Sequence, residues 1–240
     1  MAKRPFIAVP SRFSESASAI RYRAELGARA LISGLYAAGA EPLLVHPHAP
    51  DAEINVEAVA ERLSFVDGIV LPGGGDLSHR WSSQEAHPSL YDVDEEQDAF
   101  DLAIASYALD QGIPLLAICR GLQVVTTLRQ GELHLDMAEV PEIGKDHRHL
   151  RHEISLSPGS RMASTFGDSL QISCYHHQAI KTLGSGMVCT AQSADNVVEA
   201  VEMPDSKGWF LGVQWHPEDT WDSDPHQLAL LKELVDASRP

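Results

Sequence analysis

The chain has 240 residues, enough for one large α/β domain or two small ones, and at 44% hydrophobic and 22% charged it has the make-up of a soluble globular protein. A formal net charge of −16 leaves no basic footprint for nucleic acid; it would weakly steer cationic substrates, although an acidic surface that only maintains solubility accounts for it as well. No apolar run approaches a membrane span, Met-Ala-Lys-Arg-Pro at the N-terminus has no signal-peptide core, and three widely spaced cysteines form neither a disulfide framework nor a zinc pattern, so a reducing cytoplasm and no metal are expected.

Phe6 to Pro10 reads as a buried strand, followed by a loop from Ser11 to about Ser18. A helical pattern runs from Tyr22 to Ala38, with Leu26, Ala30, Leu31 and Leu35 on one side and Gly39 as its stop. Pro42 to Val45 is the next strand, Val56 to Val66 a shorter helix, and Gly68 to Leu71 a strand that enters Pro72-Gly-Gly-Gly-Asp76. Asp94 to Gln111 is a helix with acids in its first turn, Gly112 ends it, and Pro114 to Ile118 is a strand leading to Cys119 and a helix over Leu122 to Leu128. This alternation predicts a mostly parallel sheet with helices on both faces and ligands at the strands' carboxyl ends.

The second half changes character. Glu132 to Asp136 alternates at period two, and Asp146 to His152 is a polar loop whose His147, His149 and His152 read as solvated rather than ligating. Short strands follow at His152 to Leu156, Gln171 to Cys174, Met187 to Ala191, Val197 to Glu202 and Trp209 to Gln214, the last two forming a hairpin. Leu228 to Val235 is a closing helix. No repeat or linker divides the chain, so one domain over residues 1–240 is expected.

Cys119 sits where a strand turns sharply into a helix, with the small residues Ala117 and Gly121 around it. A lone cysteine after an apolar strand is more often an inert core thiol. At such an elbow, however, the helix N-terminus favours both a thiolate and an oxyanion. The triple glycine can be a flexible turn or an oxyanion hole made by one of its N–H groups with that of Arg120; it lacks the Gly-Lys-Ser/Thr ending of a phosphate loop. His216 and Glu218 flank Pro217 at the end of the last strand, and an extended backbone puts both on one face, where the carboxylate can orient the imidazole. His216 alone would be read as a structural surface histidine. The adjacent histidines of Tyr175-His176-His177-Gln178 suggest metal, but neighbours in a strand point to opposite faces and no third ligand stands at a recognisable spacing, so substrate contact and packing fit about equally. Cys174 and Cys189 lack the elbow context and read as bystander thiols.

Taken in this order, Pro72-Gly-Gly-Gly-Asp76, Ile118-Cys-Arg-Gly-Leu-Gln123, Tyr175-His-His-Gln-Ala-Ile180 and Gly212-Val-Gln-Trp-His-Pro-Glu218 resemble class I glutamine amidotransferase-like hydrolases, most of all the γ-glutamyl-γ-aminobutyrate hydrolase family. The resemblance runs from about Pro5 to about Leu234. It implies a flavodoxin-like α/β fold, with antiparallel strands in the C-terminal half, and a free-standing enzyme without a cofactor that cleaves a γ-glutamyl amide to glutamate and an amine. Cys119 would be the nucleophile, His216 the general base and acid, and Glu218 its orienting partner. The N–H groups of Arg120 and of Gly74 or Gly75 would form the oxyanion hole, while Gln123, His176, His177 and Gln178 would contact the glutamyl group. Relatives of this type often form homo-oligomers. Several positions depart from the usual family pattern and bear on substrate preference: Gln97, Asp101, Gln130, Asp136 and the pair Ser173-Cys174. Two alternatives carry other expectations: a glutaminase subunit feeding ammonia to a separate synthetase, and a non-catalytic cysteine-based sensor.

Overall fold

The computed structural model describes residues 3–239 except Ala19 and Ser83; Met1 and Ala2 of the N-terminal reading lie outside the described residues. In chain order the strands and helices are Phe6–Pro10 (β1), Arg12–Ser14 (β2), Ala24–Leu26 (β3), Arg29–Ala38 (α1), Glu41–Val45 (β4), Val56–Leu63 (α2), Gly68–Leu71 (β5), Glu95–Gln111 (α3), Leu115–Ile118 (β6) and Arg120–Leu128 (α4). Then come Glu132–His134 (β7), His147–Leu156 (β8), Arg161–Phe166 (α5), Ser169–His176 (β9), Ala179–Thr182 (β10), Val188–Gln192 (β11), Val198–Glu202 (β12), Phe210–Val213 (β13) and Pro225–Ala237 (α6).

A nine-stranded sheet in the order β4-β1-β5-β6-β13-β12-β11-β8-β9 runs through both halves. Its first five strands pair in parallel and the rest antiparallel, the mixed architecture expected. Strands β5, β6 and β13 are buried at every residue, which is why they read as continuous apolar runs. One core, with α2, α3 and α4, covers one face; a second, with α1 and α6, covers the other. Local signals set several helix ends. Asp94 caps α3 by accepting from the N–H of Gln97, Asn55 caps α2 through Ala58, and Gly39 and Gly112 end α1 and α3 in the left-handed conformation.

The helix expected from Tyr22 begins only at Arg29. Residues 24–26 instead pair antiparallel with residues 12–14, and Leu26, counted in the apolar stripe, is exposed. Gly27 then lets the chain pass close to Leu44, since a Cβ there would fall 2.5 Å from Leu44 Cδ2. The loop expected at Asp146 to His152 is largely the start of β8, a strand that pairs along β9 from His147 to Ser155. The short elements α5 and β10 were not anticipated.

The register places the chemistry. Leu71 pairs with Ala117 and Val213 with Ile118, so β5, β6 and β13 end side by side. The Pro72–Asp76 loop, Cys119 and the 214–218 segment therefore leave neighbouring strands at the same edge.

Candidate active site

Cys119 is the residue between β6 and α4, with φ +49° and ψ −107°, a conformation side-chain-bearing residues rarely adopt. Three contacts fix the elbow. The Cys119 N–H donates to Val213 O at 2.7 Å, its carbonyl accepts from the Gln123 N–H at 3.2 Å, and Gly121 passes so near β5 that a Cβ would meet Leu71 O at 2.3 Å. Cys119 is 6% exposed. As the residue that begins α4, Arg120 offers an N–H with no intrahelical partner.

His216 is held by its backbone and by its neighbours. Its N–H donates to Ser173 O at 2.9 Å, and the preceding Trp215 is fully buried with Nε1 donating to Gln227 Oε1 at 3.0 Å. The ring's Nδ1 lies 2.7 Å from Glu218 Oε1, while Nε2 makes no hydrogen bond. A Nδ1–H bonded to the carboxylate leaves Nε2 free to exchange a proton with a reacting group. Both His216 and Cys119 border Gly73: a Cβ there would stand 2.8 Å from His216 Cε1 and 3.7 Å from Cys119 Cβ. The three residues singled out as a triad are thus brought together from the ends of two neighbouring strands, β6 and β13. Burial disfavours the charged ring of His216, yet the charges of Cys119 and Glu218 outweigh it and hold its pKa well above the usual value.

Beneath the triple glycine lies an ion network that sequence reasoning missed. Arg12 donates from Nε to Gly73 O at 2.8 Å, from Nη2 to Pro72 O at 2.6 Å and from Nη1 to Asp101 Oδ2 at 2.7 Å. Asp101 also accepts from Arg120 Nη1, and Arg120 Nη2 donates to Asp98 Oδ1 at 2.5 Å. Asp98 Oδ2 accepts from the Ser78 N–H at 2.9 Å. One buried guanidinium, Arg120, one half-buried one, Arg12, and two fully buried carboxylates therefore tie α3, α4 and the 72–78 loop together. Burial pushes the Asp98 carboxyl up despite Arg120. Arg12 carried no motif; its role exists only because residues 12–14 form the hairpin. A cleft of about 150 Å³ opens over Gly74 and Gly75, and Arg23, Asp92 and Asp94 lie on its wall.

The two adjacent histidines part, as alternation requires. His177 Nε2 lies 3.0 Å from Asp76 Oδ2, at the end of the triple-glycine loop, with the Tyr91 ring 5.4 Å away. His176 faces Glu199 instead, and its Nδ1 lies 2.9 Å from Gln178 O. Gln123 and Gln178 are buried. His147, expected in solvent, is fully buried between Glu199 and Asp195. Its polar sequence neighbours concealed this, because both carboxylates come from some fifty residues away, on and before β12.

A sequence profile of the Peptidase C26 family matches residues 5–218. "Putative glutamine amidotransferase Rv2859c" of Mycobacterium tuberculosis is 36% identical over 85% of this chain, and the chain spans 65% of that relative's length. "Gamma-glutamyl-gamma-aminobutyrate hydrolase PuuD" of Escherichia coli is 30% identical over 82% of this chain and 80% of its own. Among solved structures, a "putative gmp synthase subunit a protein" from Thermoplasma acidophilum shares the fold, with a TM-score of 0.66 and 16% identity over 99% of this chain and 96% of the other. No helix among the described residues is long and apolar enough to cross a membrane. The chain belongs to the Peptidase C26 family of class I glutamine amidotransferase-like proteins.

Proposed function

We propose that the protein is a cysteine-dependent amidase that cleaves a γ-glutamyl amide, of the γ-glutamyl-γ-aminobutyrate or γ-glutamyl-polyamine type, to glutamate and an amine. The observation that supports this most is the meeting of Cys119, His216 and Glu218 around Gly73. In this reading the Cys119 thiolate attacks the γ-carbonyl carbon, and the charge passes to the carbonyl oxygen. The N–H groups of Arg120 and of Gly74 or Gly75 receive that oxyanion; each such donor is worth about 2.7–4 kcal/mol. The C–N bond breaks as His216 Nε2–H protonates the leaving amine, which leaves a glutamyl thioester on Cys119. His216 then takes a proton from water, the hydroxyl adds to the thioester carbon, and glutamate departs with the thiolate restored. Gln123, His177 and Gln178 are the proposed substrate contacts. The cleft over Gly74 and Gly75 carries Arg23, ion-paired with Asp94 and Glu15, beside Asp92, groups that can re-pair with an amino acid's carboxylate and ammonium. His176 is not among these contacts, because its ring faces Glu199.

The test is glutamate release from γ-glutamyl-γ-aminobutyrate, γ-glutamylputrescine, γ-glutamylspermidine and glutamine, by the wild type and Cys119→Ala. Turnover of a γ-glutamyl amide that disappears in the variant is the expected result; full turnover by the variant would overturn it. A second reading has the 36% identical relative's name in its favour: a glutaminase that serves a separate synthetase. It predicts slow hydrolysis of glutamine alone and stimulation by a partner.

A further inference from the structure

Behind the strand that holds Cys174 and His176 lies a second group of reactive side chains that the amidase chemistry leaves unused. His147 opens β8, Cys174 and His176 stand on β9, and Glu199 reaches over from β12. All four are buried, and their ligand atoms lie within 4.8 Å of one another. His147 Nδ1 is 3.0 Å from Glu199 Oε1, His176 Nε2 is 3.7 Å from the same oxygen, and Cys174 Sγ is 3.8 Å from Oε2.

The outer contacts decide which atoms face inward. His176 Nδ1 lies 2.9 Å from Gln178 O, so it carries the proton and Nε2 presents a lone pair, buried and without a hydrogen-bond partner. His147 lies between two carboxylates, with Nε2 3.1 Å from Asp195 Oδ2 and Nδ1 3.0 Å from Glu199 Oε1, so each ring nitrogen donates a proton to a carboxylate and Nδ1 must give up its proton to ligate. Backbone carbonyls and carboxylates in these places are what fix the tautomer of metal-binding histidines. One lone pair, the Nδ1–H of His147 and a thiol then converge on a carboxylate with no exposed surface. Among the described residues, every ion-pair partner of Glu199 is a histidine. A buried anion in this setting needs a positive charge.

We infer that His147 Nδ1, Cys174 Sγ, His176 Nε2 and one Glu199 oxygen form a tetrahedral site for a zinc-type divalent transition-metal ion. Two imidazoles, one thiolate and one carboxylate are a zinc donor set, bound at about 2.0–2.3 Å, and the cluster needs to contract by only about 1 Å to reach it. Binding displaces the Cys174 proton and the His147 Nδ1 proton to solvent, since the thiolate and the neutral ring are the ligands. Without metal, burial and then the nearby Glu199 charge hold that thiol far above its usual pKa. His152, with Nε2 3.4 Å from Cys174 Sγ, is the adjacent base that can carry the proton out. The ion would staple β8, β9 and β12 together. That end of β9 also receives the His216 N–H at Ser173 and continues into His177 against Asp76, so the staple braces the strand bordering the candidate active site.

The site is independent of the amidase reading, and cobalt tests it without any substrate. The full-length protein, stripped with chelator, is titrated with Co²⁺, and zinc retained after dialysis is measured by elemental analysis. The expected result is one ion per chain and a thiolate-to-cobalt absorption band that is kept in Cys119→Ser and lost in Cys174→Ser. Serine differs from cysteine only in the chalcogen atom and fills nearly the same space, so that variant is expected to fold, which circular dichroism checks. His147→Gln should weaken Co²⁺ binding by about 10- to 100-fold or more. No retained metal and no band in the wild type would overturn the proposal and leave the cluster as an imidazolium–carboxylate network. A band that follows Cys119 rather than Cys174 would overturn it too.

Discussion

Gly73 and His216 are in contact so close that a single methyl group does not fit between them. A Cβ on Gly73 would stand 2.8 Å from His216 Cε1, nearer than carbon atoms approach. The ring would have to swing away from Cys119, and displacements of about 1 Å in a reacting group can cost about 10²-fold in rate. Gly73→Ala is therefore expected to fold, with an unfolding midpoint close to the wild type, and to lose about 10²-fold in kcat for glutamate release. Retention of most of the wild-type rate would show that the observed ring position is not the working one.

Much of this arrangement was legible before the structure, for physical reasons that also explain the gaps. The strands β5, β6 and β13 announce themselves because both of their faces are buried, and the glycines at 39 and 112 mark real helix ends. The elbow at Cys119 and the His216–Glu218 pair are local patterns, and a local reading can find them. Arg12 was invisible because its partners are two carbonyls and a carboxylate far along the chain. The hairpin of residues 12–14 and 24–26 leaves no signal in the sequence, because three-residue strands have no period to detect. The sequence places His147 in solvent because the polarity of its neighbours says nothing about Glu199 and Asp195, which bury it.

The charge state of His216 gives a pH signature. Burial works against the imidazolium, but the charges of Cys119 and then Glu218 raise its pKa well above 6.5. A group raised on folding stabilises the native state most below its unfolded pKa, and that contribution is lost as pH rises through the folded value. The His216 ring should therefore titrate well above the ordinary histidine range in an NMR titration, and the alkaline limb of kcat/KM should lie above 6.5. In Cys119→Ser the largest raising charge is gone and the midpoint should fall. An unchanged midpoint in that variant would remove Cys119 as the cause.

Cys119 gives a stability signature of the opposite kind to most core residues. Its φ of +49° and ψ of −107° match the glycine position of a type II′ turn, and a side chain held there stores about 1–3 kcal/mol of strain. Glycine relieves that strain but gains about 0.4–1 kcal/mol of freedom in the unfolded chain. Cys119→Gly should thus be more stable than Cys119→Ala by about 1 kcal/mol, and both should be inactive. Urea midpoints compared at equal m-values measure the difference; an alanine variant as stable as the glycine one would mean that the elbow is not strained.

Asp101 is the joint of the ion network, since its Oδ2 accepts from both Arg12 and Arg120 and Arg12 in turn holds the carbonyls of Pro72 and Gly73. Removing one partner of a buried ion pair leaves uncompensated charge and costs about 3–5 kcal/mol. Asp101→Ala should lose that much in denaturant unfolding. It should also slow glutamate release, because the loop that borders both Cys119 and His216 is then tethered less firmly. Asp101→Asn keeps an acceptor for one guanidinium and should lie between the alanine variant and the wild type on both measures. If the alanine variant unfolds within about 1 kcal/mol of the wild type, the range of a surface ion pair, the network does not hold the loop and Arg12 acts through its carbonyl contacts alone.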